Sequence, residues 1–71
     1  GGNFVDTIKR VQDLMQERDM NLCVLAKKCG ISYSMIQTTA RRGGQLSVET
    51  IEKICLGLGI TLKDFFDSSY L

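Results

Sequence analysis

Three cysteines, three acidic pairs and four clustered bases are the side chains of this 71-residue chain that could do chemistry. Cys23, Cys29 and Cys55 could hold a metal or exchange electrons, and Asp13/Glu17, Glu49/Glu52 and Asp64/Asp67 could share acid and base roles. Lys27, Lys28, Arg41 and Arg42 could neutralise phosphate. The first two chemistries fail on spacing. A zinc site wants four ligands, typically with a CxxC pair or histidines, and the chain has neither. An odd number of cysteines does not make the even disulfide framework of a small secreted domain. They read as small apolar core residues in a reducing cytosol. The acidic pairs stand at i, i+3 or i+4, the spacing of a solvated helix face, and the commonest general base, His, is absent. No GxxxxGK[ST] or GxGxxG loop cradles a phosphate. Neither an enzyme nor a cofactor is expected.

The bases are a different matter. The net charge of +1 hides a segregation. Residues 1–19 carry three bases against four acids, and residues 49–71 carry two against four. Between them, residues 20–48 hold Lys27, Lys28, Arg41 and Arg42 and no acid at all. Phosphate-neutralising charge supplies most nucleic-acid affinity, whereas base edges supply specificity. Four bases imply modest, salt-sensitive binding.

Helices must position these bases. Apolar types make up 44% and charged types 24%, an ordinary globular mix. A chain this short buries roughly 60% of its unfolded surface, which leaves one small core. The longest apolar run, 54–60 (ICLGLGI), is far short of the ~20 residues that cross a bilayer, and no leader pattern precedes it. Gly1 and Gly2 read as a tag remnant or frayed end, with residues 1–3 disordered and 4–71 forming a single domain. Phe4, Ile8, Val11 and Leu14/Met15 recur at helical steps, so a first helix is expected over about 4–18. Asn21 caps a second over 22–29, and Gly30 stops it by taking positive φ. Ser32 caps a third over 33–41, a Gly43-Gly44-Gln45 loop follows, and Ser47 caps a fourth over 48–58, ended by Gly59. Thr61 and Asp64 form a capping box for a fifth over 62–67. The expected fold is an all-α, compact five-helix domain. Its second and third helices are joined so tightly that they cross steeply as a helix-turn-helix, with Ala26 at their closest approach.

Residues 25–36, LAKKCGISYSMI, resemble the phage-repressor-like (Cro/repressor, or xenobiotic-response-element) helix-turn-helix family, which typically reads L-A-x-x-x-G-[VI]-S-x-S-x-[IV] here. The likeness continues through residues 46–66, LSVETIEKICLGLGITLKDFF, and covers nearly all of 4–67. It implies a cytoplasmic transcriptional regulator of bacterial or phage type that binds double-stranded DNA sequence-specifically, usually as a homodimer. The third helix would enter the major groove and offer Ser32, Tyr33, Ser34, Gln37, Thr38 and Arg41. Gln37 has the groups to pair with adenine N6 and N7, Arg41 suits phosphate or guanine, and the Tyr33 hydroxyl suits phosphate. Asn21, Lys27, Lys28 and Arg42 complete the expected DNA-binding set.

Several positions depart from the pattern. Leu22 stands where the family often has a phosphate-touching Gln, so that contact is either lost or moved to Asn21. Thr39 replaces a bulky apolar residue, Ala40 a common Glu, and Arg42 a loop Gly. If Thr39 is buried, its hydroxyl is expected to bond back to the carbonyl four residues earlier. The apolar Leu22–Val24 run suits an alternative, a protein-interaction module that keeps the fold without reading DNA. A third reading is the DNA-binding component of a toxin–antitoxin or mobile-element system. No small-molecule site or sensor segment is legible, so control is expected from abundance, dimerisation or a partner. Ile60, Phe65, Phe66, Tyr70 and Leu71 suggest a dimer surface, with at least one of the two phenylalanines closing the core.

Overall fold

The computed structural model describes residues 6–67; the expectations for residues 1–3, Phe4, Tyr70 and Leu71 fall outside them. Among the described residues there are five helices and no strand: α1 (Thr7–Glu17), α2 (Leu22–Cys29), α3 (Tyr33–Arg41), α4 (Val48–Leu58) and α5 (Leu62–Phe66). Each begins at a side chain that accepts a backbone N–H left without a partner in the first turn. The Asn21 side-chain oxygen accepts from Val24 N–H at 2.9 Å, Ser32 Oγ from Met35 N–H at 3.1 Å and Ser47 Oγ from Thr50 N–H at 3.2 Å. Thr61 and Asp64 cap each other's backbone reciprocally at the start of α5.

The first helix differs from the periodicity that begins at Phe4. Asp6 is its N-cap, with φ −101° and ψ 89°, and its carboxylate accepts from Lys9 N–H at 3.0 Å. A cap is a local backbone event that apolar periodicity does not report. Arg18 is the C-cap of α1, and Asp67 that of α5, so both helices end one residue before the expected boundary.

Val11, Leu25, Ile54 and Phe65 are fully buried and come from four different helices. Phe65 closes the core, whereas Phe66 stacks edge-on against it with ring centres 5.1 Å apart and stays exposed. The stripe that α1 buries is Thr7, Arg10, Val11 and Leu14, and two of its members are polar. Arg10 donates from Nε to the carbonyl of Phe65 and from Nη2 to that of Asp64 at 2.8 Å, fastening α1 to the carbonyl end of α5. Thr7 Oγ1 donates to Gln45 Oε1 at 2.7 Å and accepts from Leu46 N–H at 2.9 Å, which holds the loop before α4 against the start of α1. Arg10, one of the three bases of residues 1–19, is an internal clasp.

The main packing pair is α2 on α4. A Cβ built on Gly57 of α4 would collide with Cys29 Sγ and lie 3.0 Å from Cys29 Cα, so the helices touch where a side chain is missing. Ala26 is buried, but the contact that tolerates no added atom is this one, between α2 and α4. One residue beyond Cys29, Gly30 turns the chain at φ +67°, and Ile31 N–H donates back to the Ala26 carbonyl at 3.0 Å. The space around a Gly30 Cβ is empty, so only its backbone angle resists substitution.

Two glycine substitutions therefore separate two causes of instability. Gly57→Ala should cost about 1–3 kcal/mol by overpacking against Cys29. Gly30→Val should cost about 1–3 kcal/mol by forcing a branched residue into left-handed φ. Thermal melts check both. In the double variant, Cys29→Ala should recover part of the Gly57→Ala loss and none of the Gly30→Val loss.

Candidate nucleic-acid interface

At 100° per residue, Tyr33, Ser34, Gln37, Thr38 and Arg41 fall within an arc of about 140° on α3. All five are exposed, while Ile36 is buried and Met35 half-buried on the opposite side. The face exists because α3 spends its apolar residues on the core and has none left over for this arc. Ser32 lies at its N-terminal edge, exposed, with its oxygen engaged as the cap.

Within the arc, Gln37 Nε2 donates to the Tyr33 hydroxyl oxygen at 2.9 Å. A side-chain amide has two N–H donors and one carbonyl acceptor, so this bond orients Gln37 and leaves one donor and the acceptor unspent. Those are the two groups that a bidentate pairing with adenine uses. The Tyr33 hydroxyl keeps its own proton to donate outward.

Lys27 and Lys28 occupy the last turn of α2, where the helix dipole favours cations, and Arg41 and Arg42 close α3. All four are exposed, and none makes an ion pair among the described residues. The pairs Arg18–Glu17 and Lys53–Glu49 lie outside 20–48. Asn21 is exposed at the other end of α2, about 9 Å of helix axis from Lys27. Its neighbour Leu22 shares a groove with Gln37 and Arg41, so the start of α2 flanks the C-terminal half of α3.

Taken together, a solvent-facing helix with polar ends is held on a glycine turn, beside cations with no acidic partner. A family model for the Cro/C1-type HTH DNA-binding domain matches residues 10–68, most of the chain. The chain belongs to the Cro/C1-type helix-turn-helix DNA-binding family. No curated protein and no solved structure matches it significantly. Membership makes DNA the partner and assigns the domain to a family that is typically not enzymatic. No helix among the described residues is long and apolar enough to cross a membrane, and no group of His, Cys, Asp or Glu there could hold a metal.

The family's departures in this chain have definite places. Thr39 is half-buried, and its hydroxyl points to the Met35 thioether sulfur at 3.8 Å; the partner four residues back is a side chain and not the expected carbonyl. Leu22 packs against the core, which leaves only Cys23 and Val24 of the apolar run exposed. Leu22 and Ala40 both line a groove between α1 and α3, so two positions that are often polar in the family are apolar here.

Among the residues missed by sequence reasoning is Gln45, whose carbonyl oxygen accepts both Thr7 donors, N–H at 2.9 Å and Oγ1 at 2.7 Å. Arg10 was missed too, although its place in the 7, 10, 11, 14 stripe could have marked it as inward-facing. Burial pushes the Cys29 and Cys55 thiols up from their ordinary value, so both stay protonated at neutral pH and serve as packing atoms. Cys23 is exposed. A limiting amount of iodoacetamide at pH 7.5 should therefore alkylate Cys23 first, with one adduct by mass spectrometry. Equal labelling of Cys29 or Cys55 in the folded protein would contradict their burial.

Proposed function

We propose that the domain is a sequence-specific transcriptional regulator that lays α3 in the major groove of duplex DNA and acts in the cytoplasm. Gln37, held by Tyr33, reads a base edge, most favourably adenine. Ser34 and Thr38 line the same face, and Arg41 reaches phosphate or guanine. Lys27, Lys28 and Arg42 neutralise phosphate, with Asn21 and Ser32 adding contacts from groups not used in capping. The observation that carries this reading is the coincidence of the oriented Tyr33–Gln37 pair with four cations that have no acidic partner.

Labelled duplex titrated at two salt concentrations tests it. With four phosphate contacts, affinity should fall on the order of 100-fold between about 50 and 200 mM salt. Arg41→Ala and Arg42→Ala should each weaken binding on all sequences and flatten the salt slope by ~1. Gln37→Ala should instead relax the preference at one base pair, by about 1–3 kcal/mol, and Tyr33→Phe should do so less strongly at the same position. Selection from a random duplex pool reads that preference. Absence of binding at low salt would leave the protein-interaction reading, for which exposed Cys23 and Val24 are the available patch.

The homodimer belongs to this reading as well. Leu56 is 84% exposed, and Leu62 and Phe66 lie exposed on the following helix, a larger apolar surface than a monomer of this size needs to show. A two-fold pair joined there would space its α3 helices by about one DNA turn, ~34 Å. Sedimentation equilibrium should give a dimer that Leu56→Lys converts to monomer without loss of helicity. A monomer for both proteins would remove the homodimer from this reading.

A further inference from the structure

The groove between α1 and α3 has a chemistry that phosphate and base contacts do not use. Its floor is Ile8, Val11, Met15, Leu22 and Ile36, contributed by three helices. Ala40 stands at its edge, and the short methyl side chain leaves open the space between the two helices. The groove is open to solvent along one side, and its volume is about 260 Å³. An apolar cavity of about 150 Å³ is enough to take benzene, so this one has room for a single ring with a short chain.

Its rim is polar, and the polarity has one sign. Gln12 and Gln37 offer amides, and Arg41 offers a guanidinium with no carboxylate partner; no acidic residue lines the groove. A stable protein–protein contact buries roughly 1,200 Å² or more, which a ring-sized hollow cannot supply alone. A small molecule can use it, since ligand sites combine an apolar floor with a few directional polar groups.

We infer that this groove binds a small apolar carboxylate, an aryl or branched-alkyl acid, with its hydrocarbon on Ile8, Met15, Leu22 and Ile36 and its carboxylate on Arg41. A guanidinium pairs with a carboxylate through two parallel N–H donors, a geometry that a neutral analogue cannot reproduce. The Ala40 position sets which acids enter, because it borders the opening and a longer side chain there narrows it. Arg41 and Gln37 also belong to the α3 face, so an occupied groove withdraws both from duplex DNA. This last consequence rests on the proposed DNA reading; the site itself does not.

The test is a ¹⁵N-correlated NMR titration of the whole chain with 3-phenylpropionate and its neutral isostere 3-phenylpropanamide, without DNA. The acid should bind saturably at about millimolar strength, as expected for a fragment of this size, and shift the amides of Ile8, Gln12, Leu22 and Ala40. The amide analogue should bind about tenfold more weakly, and Arg41→Gln should erase that difference. Ala40 is exposed on a helix, so Ala40→Leu should keep the dispersed spectrum of the folded protein and lose binding. Shifts that are scattered or never saturate, equal affinity for acid and amide, or unchanged binding by Ala40→Leu would each overturn the site. A second titration, of duplex with and without the acid, should show weakened DNA binding. No change there, with the first titration intact, would overturn the coupling alone, and failure to bind duplex at all would count against the DNA reading and leave the groove standing.

Discussion

The contact between Cys29 and Gly57 is the constraint from which the placement of the α3 face descends. Two helices can approach this closely only where one of them carries no side chain, and that requirement locates the last turn of α2 on α4. The chain leaves α2 one residue later through Gly30 at φ +67°, so the direction in which α3 departs follows from where Cys29 is seated. A shift at Gly57 would be passed through a single turn to every side chain on the α3 face. The exposed α3 helix is thereby positioned by a buried contact far from its polar face.

Positive charge is divided between two tasks. Arg10 spends its guanidinium inside the molecule, on the two carbonyls at the end of α5, where a cation complements the helix dipole. Burying a charged group is costly unless its donors are satisfied, and two carbonyl acceptors meet that condition. Lys27, Lys28, Arg41 and Arg42 lie in a segment that contains no acid, and none of them makes an ion pair among the described residues. Their field is therefore not quenched locally, and the weak net charge of the whole chain understates the charge that a phosphate backbone would meet.

The α3 helix has three kinds of side that meet different neighbours. One presents Tyr33, Gln37 and Arg41 to solvent, one buries Ile36, and between them Ala40 opens onto the groove along α1. An apolar hollow lies directly beside the exposed polar arc, so Gln37 and Arg41 border both surfaces. Leu22 and Ala40 stand where the family often has polar residues, which removes hydrogen-bonding groups from this border, and the short Ala40 side chain leaves room where a longer one would stand.

Most of the architecture was legible in the residues themselves. Asn21, Ser32, Ser47 and Thr61 are capping types immediately before apolar stripes, and Gly30 and Gly59 stand where a helix must stop. These are local rules, since a cap bonds to a backbone group two or three residues away. The absence of acids from 20–48 is likewise a property of sequence alone. The tertiary structure decided what depends on partners distant along the chain. Arg10 reaches 55 residues to Phe65, Thr7 reaches 38 to Gln45, and Gly57 owes its meaning to Cys29 on another helix. The groove beside Ala40 is of the same kind: a missing volume appears only when α1 and α3 are brought side by side, and no pattern within either helix records the space between them.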